Sequence, residues 1–473
     1  MAQKMIFSAY KKLKKMKIQY YFITCLLYFT TVFIVAAQES NKKWTLNECI
    51  EYAVENNIEL NRMELTVQKS EKDVLQSKMN YLPAVNGFAT HELNWGNTFS
   101  YDLLQYVDQE YYRGYFGARS SVELFNGFYN HKNLQKNKFT HLASHYQLEE
   151  VKNDISLQVL LYYLETLFKK DLMQAAKEQY EMTGMQVERT KKMVETGKSA
   201  KSDLLEIKAQ QALEKVNLTN AGNAYRMALL NLAHLLNLKN ADQFDVENIE
   251  NLEFEEEKEI ESTQEIFSSA VTILPQIKSA EYQLKSSEKT LDISKWQRSP
   301  SLTLNGLFYT RYSEIAVHPS NYDNDPSNDV ENYQINDQIN DFAYKQIALS
   351  LNIPIFNQWS TETEISKNKI NYLDSKLNLE NEKQILYKNI EQAHADAIAS
   401  RENYLARKDA FEAAKEAFKF AEKRFNVGLI HSVEYNDNKS KLSKAEADLL
   451  QSKYEYYYQL QVLNFYKKNQ VSY

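Results

Sequence analysis

What most restricts this chain is where it lacks helix breakers. Its six prolines, Pro83, Pro275, Pro300, Pro319, Pro326 and Pro354, leave two tracts free of proline, residues 84–274 and 355–473. The second tract holds a single glycine, Gly428. Both tracts are rich in Ala, Leu, Lys, Glu and Gln, the residues that give up least conformational freedom in a helix. Long helices follow. The one expected from Tyr129 to Thr196 would extend about 100 Å at 1.5 Å per residue, a length that suits a tunnel wall and not a compact globule.

The chain also repeats itself. The segment "SEKDVLQSKMNYLPAV" (70–85) aligns with "SEKTLDISKWQRSPSL" (287–302) at a separation of 217 residues, pairing Pro83 with Pro300. Further on, "VELFN" (122–126) aligns with "IPIFN" (353–357) at 231 residues, and that offset holds through a long stretch of helix until Gly197 meets Gly428. The extra residues of the second copy fall inside 313–344, which is rich in Asn and Asp and reads as a long exposed loop. Residues 38–262 form one repeat, ending in a joining segment at 239–262, and residues 263–473 form the other. The acidic stretch "FEEEKEIES" (254–262) within that segment reads as a solvated linker.

Each repeat has the order helix, strand, loop, strand, long helix, glycine, long helix. Glycine takes a left-handed conformation without a side-chain penalty and so ends helices; Gly197 and Gly428 therefore predict hairpin turns. Ser202 and Ser432 are the expected caps of the helices that follow, with Asp203 and Glu434 favoured by the dipole at a helix start. The strands are expected at 84–95, 114–126, 301–312 and 342–355. In the third, Leu302, Leu304, Phe308 and Tyr312 share one face while Thr303, Asn305 and Arg311 share the other. Strands of about ten residues match those that cross an outer membrane at a tilt. Four cannot close a barrel, and open edges would leave backbone groups unpaired in lipid. A spanning chain must therefore oligomerise.

The amino terminus has a different character. "KKLKKMK" (11–17) and the apolar "IQYYFITCLLYFTTVFIVAA" (18–37) read as an export signal over residues 1–37, cleaved after Ala37. Cys25 lies within it, leaving Cys49 alone, so no disulfide framework or Cys-based metal site is expected. No apolar run follows residue 40, which excludes membrane-spanning helices from the mature chain. The net charge is −7, and the lysines alternate with glutamates; without a concentrated basic surface no nucleic-acid partner is expected. "TGKS" (196–199) lacks the earlier glycine of a phosphate loop and follows no strand. The histidine pair at one-turn spacing, His141 and His145, reads as two polar positions on a solvated helix. No metal, no cofactor and no catalytic constellation are expected, and hence no enzyme.

Taken in order, "WTLNECIEYAVENN" (44–57), "YLPAV" (81–85) with "RSPSL" (298–302), "VELFNG" (122–127) with "NIPIFNQ" (352–358), and each repeat glycine followed six residues later by an acid resemble the TolC-like outer-membrane efflux family. The resemblance covers about residues 44–466. It implies a mainly helical chain with membrane strands, assembled as a homotrimer whose twelve-stranded β-barrel, four strands per chain, continues as a helical coiled-coil barrel across the periplasm. It implies outer-membrane lipid around the barrel, and a periplasmic adaptor (membrane fusion protein) and an inner-membrane transporter as partners in a tripartite efflux or secretion system. It places the adaptor-docking tips at Gly197, Lys198, Ser199 and Ala200 and at Gly428, Leu429, Ile430 and His431. It also places Glu434 and Asp437 at the periplasmic aperture.

A trimer would gather those two acids into a ring that favours cations. Asp203 and Phe425 are the other gate candidates. The family often has an arginine where this chain has Ile430, so the usual partner for an ionic latch to Asp203 is missing, and packing by Phe425, Leu429 and Tyr435 is the alternative means of closure. The competing reading of the whole chain is a periplasmic coiled-coil adaptor or structural protein that never enters the membrane.

Overall fold

The structure is a computed structural model that describes residues 43–100, 104–108, 110–239, 241, 244–249, 260–316 and 333–469. The export signal, most of the acidic joining stretch and the middle of the Asn- and Asp-rich insertion lie outside the described residues.

The first repeat runs β1 (Lys43–Trp44), α1 (Leu46–Asn56), α2 (Ile58–Met79), β2 (Ala84–Asn94), β3 (Asn97–Ser100), β4 (Gln105–Asp108), β5 (Tyr111–Asn126), α3 (Tyr129–Glu195), α4 (Lys201–Leu235) and β6 (Asp245–Val246). The second runs α5 (Thr263–Ile273), α6 (Pro275–Trp296), β7 (Ser301–Ser313), α7 (Ile335–Asp341), β8 (Tyr344–Asn352), α8 (Ser360–Asn426) and α9 (Ser432–Lys468).

The repeat extends to the local chemistry. Thr45 and Glu48 close a capping box at the start of α1, and Ser262 and Glu265 do the same for α5, each satisfying backbone donors that the first helical turn leaves free. Asn57 then turns the chain from α1 into α2, while Leu274 with Pro275 turns it from α5 into α6; proline suits the first helical position because the missing donor is one the helix cannot use. Helices α3 and α8 are each 67 residues long, about 100 Å. Both begin just after a residue in the left-handed conformation, Phe128 and Trp359.

One antiparallel sheet has the strand order β2-β5-β7-β8. The expected strands form with shifted ends. The fourth starts at Tyr344 and stops at Asn352, because Pro354 has no N–H to offer a ladder. The second begins earlier than expected, at Tyr111, and the connection before it folds into the β3-β4 hairpin.

One expectation needs correction. The insertion is not a loop throughout: its described end forms α7, where the Gln338 side chain accepts from the Ser313 N–H at 2.8 Å and donates to the Tyr333 carbonyl at 2.7 Å. Those buried bonds hold the segment against β7. Ahead of that acidic stretch the joining segment is anchored, since β6 pairs in parallel with β1 and Val246 and Phe244 are buried.

Two apolar cores lie around the middle of the helices, and each takes residues from both repeats. One core joins α1, α2, α3 and α4 with Tyr454 and Tyr457 of α9 and with the β1-β6 pair. The Tyr163 hydroxyl holds that pair by donating to the carbonyls of Trp44 at 2.9 Å and Glu247 at 2.7 Å. The other core joins α5, α6, α8 and α9. Among the described residues no helix is long and apolar enough to cross a membrane.

Candidate functional site

Two ends of the molecule carry the features that bear on function. At the sheet end, strand register fixes the side chains because successive residues point to opposite faces. Val85, Ala118, Leu304, Phe308, Leu349 and Leu351 lie on one face, whereas Asn86, Arg119, Thr303, Asn305 and Ser350 lie on the other. The apolar face has no cover in the chain: Ile347 is 84% exposed and Leu349 62%. On the polar face Glu92 pairs with Arg113 at 2.8 Å, and Asn305 donates to the Ser350 hydroxyl at 3.2 Å. A soluble sheet would bury the apolar face; this one presents it outward.

Aromatic rings that the sequence reading passed over collect at the root of the sheet. Phe128 stands edge-on between Phe125 at 5.4 Å and Trp296 at 5.2 Å, and Trp359 is exposed beside the second repeat's strand exit. Trp95 is exposed at the far end of β2. Trp rings, apolar in body with one N–H donor, are enriched where lipid meets water. Their signal in the sequence was their position at or just beyond the strand ends.

At the opposite end are the two hairpin turns. In the first, the N–H of Lys198 reaches the Met193 carbonyl at 2.8 Å and that of Gly197 reaches Val194 at 3.0 Å; in the second, Leu429 reaches Arg424 at 2.9 Å and Gly428 reaches Phe425 at 3.0 Å. This paired pattern closes a helix through a left-handed glycine. Gly197 has φ +71° and Gly428 φ +80°. Open space surrounds the position a side chain would take at each glycine, so backbone conformation alone requires glycine there.

The expected caps are displaced by a residue or two. Ala200 and His431 hold the cap positions, and Ser202 and Ser432 lie inside the helices. In place of Ser202, Asp203 accepts from the Ala200 N–H at 3.2 Å and from the Ser199 hydroxyl at 2.7 Å. Ser432 instead donates to Glu206 of the first hairpin. Asp203 is thus engaged within its own turn.

The packing expected at the second tip also shifts. Phe425 and Tyr435 stack at 4.7 Å, but Leu429 is 70% exposed while Ile430 is buried with Ala421, Tyr435 and Phe418. The chain turns outward at Leu429 and inward one residue later. Burial pushes the Tyr435 hydroxyl up to about 12, with Glu422 adding to the shift. Of the tip residues, Lys198, Ala200, Leu429 and His431 are exposed and Ser199 is partly covered.

Glu434 and Asp437 lie near the start of α9, both exposed. Arg424 reaches across the turn to Glu434 at 3.3 Å, and Lys441 meets Asp437 from one helical turn on at 2.6 Å. Exposed pairs of this kind hold weakly and leave both carboxylates open to other partners. The His141 ring nitrogen meets the Ser70 hydroxyl at 2.9 Å. Among the described residues no group of three or more His, Cys, Asp or Glu converges as a metal site.

The family model described as outer membrane efflux protein matches residues 49–238 and 268–466. No curated protein sequence matches. Solved structures do match at low identity. CusC, described as forming a transmembrane channel, is 16% identical with a TM-score of 0.70, covering 90% of this chain and 95% of its own. The Campylobacter jejuni CmeC outer membrane channel is 17% identical with a TM-score of 0.70, covering 89% and 85%. The Neisseria gonorrhoeae MtrE outer membrane channel, solved in its open state, is 17% identical with a TM-score of 0.66, covering 89% and 88%.

Proposed function

This chain belongs to the outer membrane efflux protein family, and from that membership we propose that it is a passive outer-membrane duct of a tripartite efflux or secretion system. The observation that carries the reading is the join between an outward apolar sheet face and helices about 100 Å long. The sheet suits lipid, and the helices suit a crossing of the periplasm.

In this reading the free edges of β2 and β8 are paired between chains. The order β2-β5-β7-β8 leaves them outermost, and a bilayer does not tolerate unpaired backbone. A trimer of these sheets makes the twelve-stranded barrel, with the face of Arg119 and Asn305 toward the lumen. An adaptor docks at the exposed residues of both hairpin turns, and an inner-membrane transporter supplies the energy. Glu434 and Asp437 line the closed aperture. The alternative, an adaptor or structural protein confined to the periplasm, leaves the apolar face without a partner.

Fractionation tests the location. The protein should be recovered from outer membranes as a detergent-requiring, heat-modifiable trimer; recovery as a water-soluble periplasmic monomer would sink the reading. Planar-bilayer recording tests the gate. Replacing Glu434 and Asp437 together with Ala should raise single-channel conductance or weaken cation preference, and no change in either would remove these acids from the aperture.

A further inference from the structure

The face of the sheet that carries Arg119 and Asn305 is not polar throughout. Alternate residues of a strand return to the same face, so the register sets this face out in rows across the four strands. Asn86, Arg119, Leu307 and Gln346 make one row, and the next row away from the helices is Phe88, Gly117, Tyr309 and Tyr344. Tyr115 follows in the row beyond. Tyr309 and Tyr344 have ring centres 5.3 Å apart, and Phe88 and Tyr115 6.3 Å. Tyr115 is 37% exposed and Tyr344 45%. The lining of a spanning barrel is ordinarily polar, and water gains nothing from a ring laid open to it.

Arg119 stands at the margin of these rings, exposed, with its guanidinium 4.9 Å from the centre of the Phe88 ring. Its own row is otherwise neutral, and the row toward the helices holds Ser121 and Asn305 with no charge. Among the described residues no carboxylate pairs with it. The other arginines of this face are engaged differently: Arg113 is paired with Glu92 at 2.8 Å, and Arg311 lies over the Phe342 ring. A guanidinium that rests on a ring keeps its N–H donors at its edge, where two of them can grip one carboxylate or sulfonate in parallel. Rings beside it take the flat body of a ligand by offset or edge contact. An arginine alone accepts any anion, and rings alone accept any apolar body. Together they select an anion that is planar and aromatic.

We propose that Arg119, Phe88, Tyr115, Tyr309 and Tyr344 form a transit site for planar aromatic anions, carboxylates or sulfonates, on the wall of the barrel. It rests on the duct reading, which turns this face to the lumen, and it names a class of cargo. The site lies at the opposite end of the molecule from Glu434 and Asp437, so a ligand entering from the outer side reaches Arg119 without passing those acids.

The test uses the full chain in planar bilayers, with naphthalenesulfonate added to the chamber that faces the sheet end and methanesulfonate as an anion without a ring. Naphthalenesulfonate should interrupt the wild-type current, and Arg119→Gln should raise the concentration for half-block about tenfold, the loss of a hydrogen-bonded charge. Tyr344→Leu should raise it severalfold. Arg119→Lys, which keeps the charge and loses the paired donors, should fall between the wild type and Arg119→Gln. Half-block unmoved by Arg119→Gln overturns the site, as does block by methanesulfonate equal to that by naphthalenesulfonate. A variant that forms no channel is read instead by the fluorescence anisotropy of naphthalenesulfonate with the detergent-solubilised protein. Weaker binding to Arg119→Gln than to the wild type supports the site, and equal binding overturns it. Such Arg119-dependent binding in a wild-type protein that passes no current leaves the site standing and overturns the duct reading instead.

Discussion

At Gly197 and Gly428 the backbone makes the same turn with the same two closing hydrogen bonds, yet the residue two positions on is the polar Ser199 in one and the buried Ile430 in the other. The first tip is tied by hydrogen bonds, with Ser199 and the Ala200 N–H both on Asp203. The second is tied by packing, with Phe425 stacked on Tyr435 and Ile430 beneath. Its outer side presents Val427, Leu429 and Val433 to solvent. A repeated sequence has kept its turn geometry and separated its chemistry. One tip is a polar surface, and the other pairs an apolar outer edge with the acids Glu434 and Asp437.

The largest expected difference lies in the packing. Ile430→Ala should destabilise the second hairpin by about 2 to 3 kcal/mol, the low end of what removing a buried aliphatic side chain costs, because the cluster around it is small. Ser199→Ala, the matching change in the first hairpin, should cost about 1 kcal/mol for a lost hydrogen bond. Urea unfolding of the detergent-solubilised protein, or protease nicking at the tips, measures both. Equal effects would break the distinction.

The turns themselves should behave alike. Gly197→Ala and Gly428→Ala each place a side chain in a left-handed conformation, at about 1 to 2 kcal/mol, with no added clash because both sites are open. Clearly unequal losses of stability would show that one turn carries a burden the backbone does not reveal.

Away from the tips, one group of carboxylates from both repeats comes together. Glu150 on α3 is raised from 4.5 to about 6 by burial, then by Asp154 and by Glu382 of α8. Asp154 is raised as well, again chiefly by burial. A raised carboxyl favours the folded state while it is protonated. This contribution is present below about pH 4.5 and is lost as pH rises through about 6. The urea midpoint of Glu150→Gln should therefore fall less than that of the wild type over this interval.

The smallest effect is expected at Arg424. Its pair with Glu434 is exposed on both sides, so Arg424→Gln should change stability by less than about 0.5 kcal/mol. If Glu434 faces a lumen, the same change should still strengthen cation preference in bilayer recordings, because it removes a neighbouring positive charge.

Much of this was legible along the chain. The absence of proline, the matched glycines and the alternation of Leu302, Leu304 and Phe308 with Thr303 and Asn305 report local rules: which backbone a residue tolerates and which face it seeks. Those rules determine the long helices, the two hairpins and the two-faced strands. They did not reach the positions set by distant partners. Ser432 reads as a cap but bonds Glu206, 226 residues away in sequence. Leu429 reads as packing, but the turn points it outward and buries Ile430. The insertion reads as loop, but Ser313 and Tyr333 recruit Gln338 and fold its end. Lys439 reads as one more lysine on a solvated helix; only the seating of α9 against α3 and α4 buries it beside Thr183 and Glu214. Periodicity is written into each segment by itself. Burial of a polar group depends on which helix lies opposite, and the tertiary structure alone decided that.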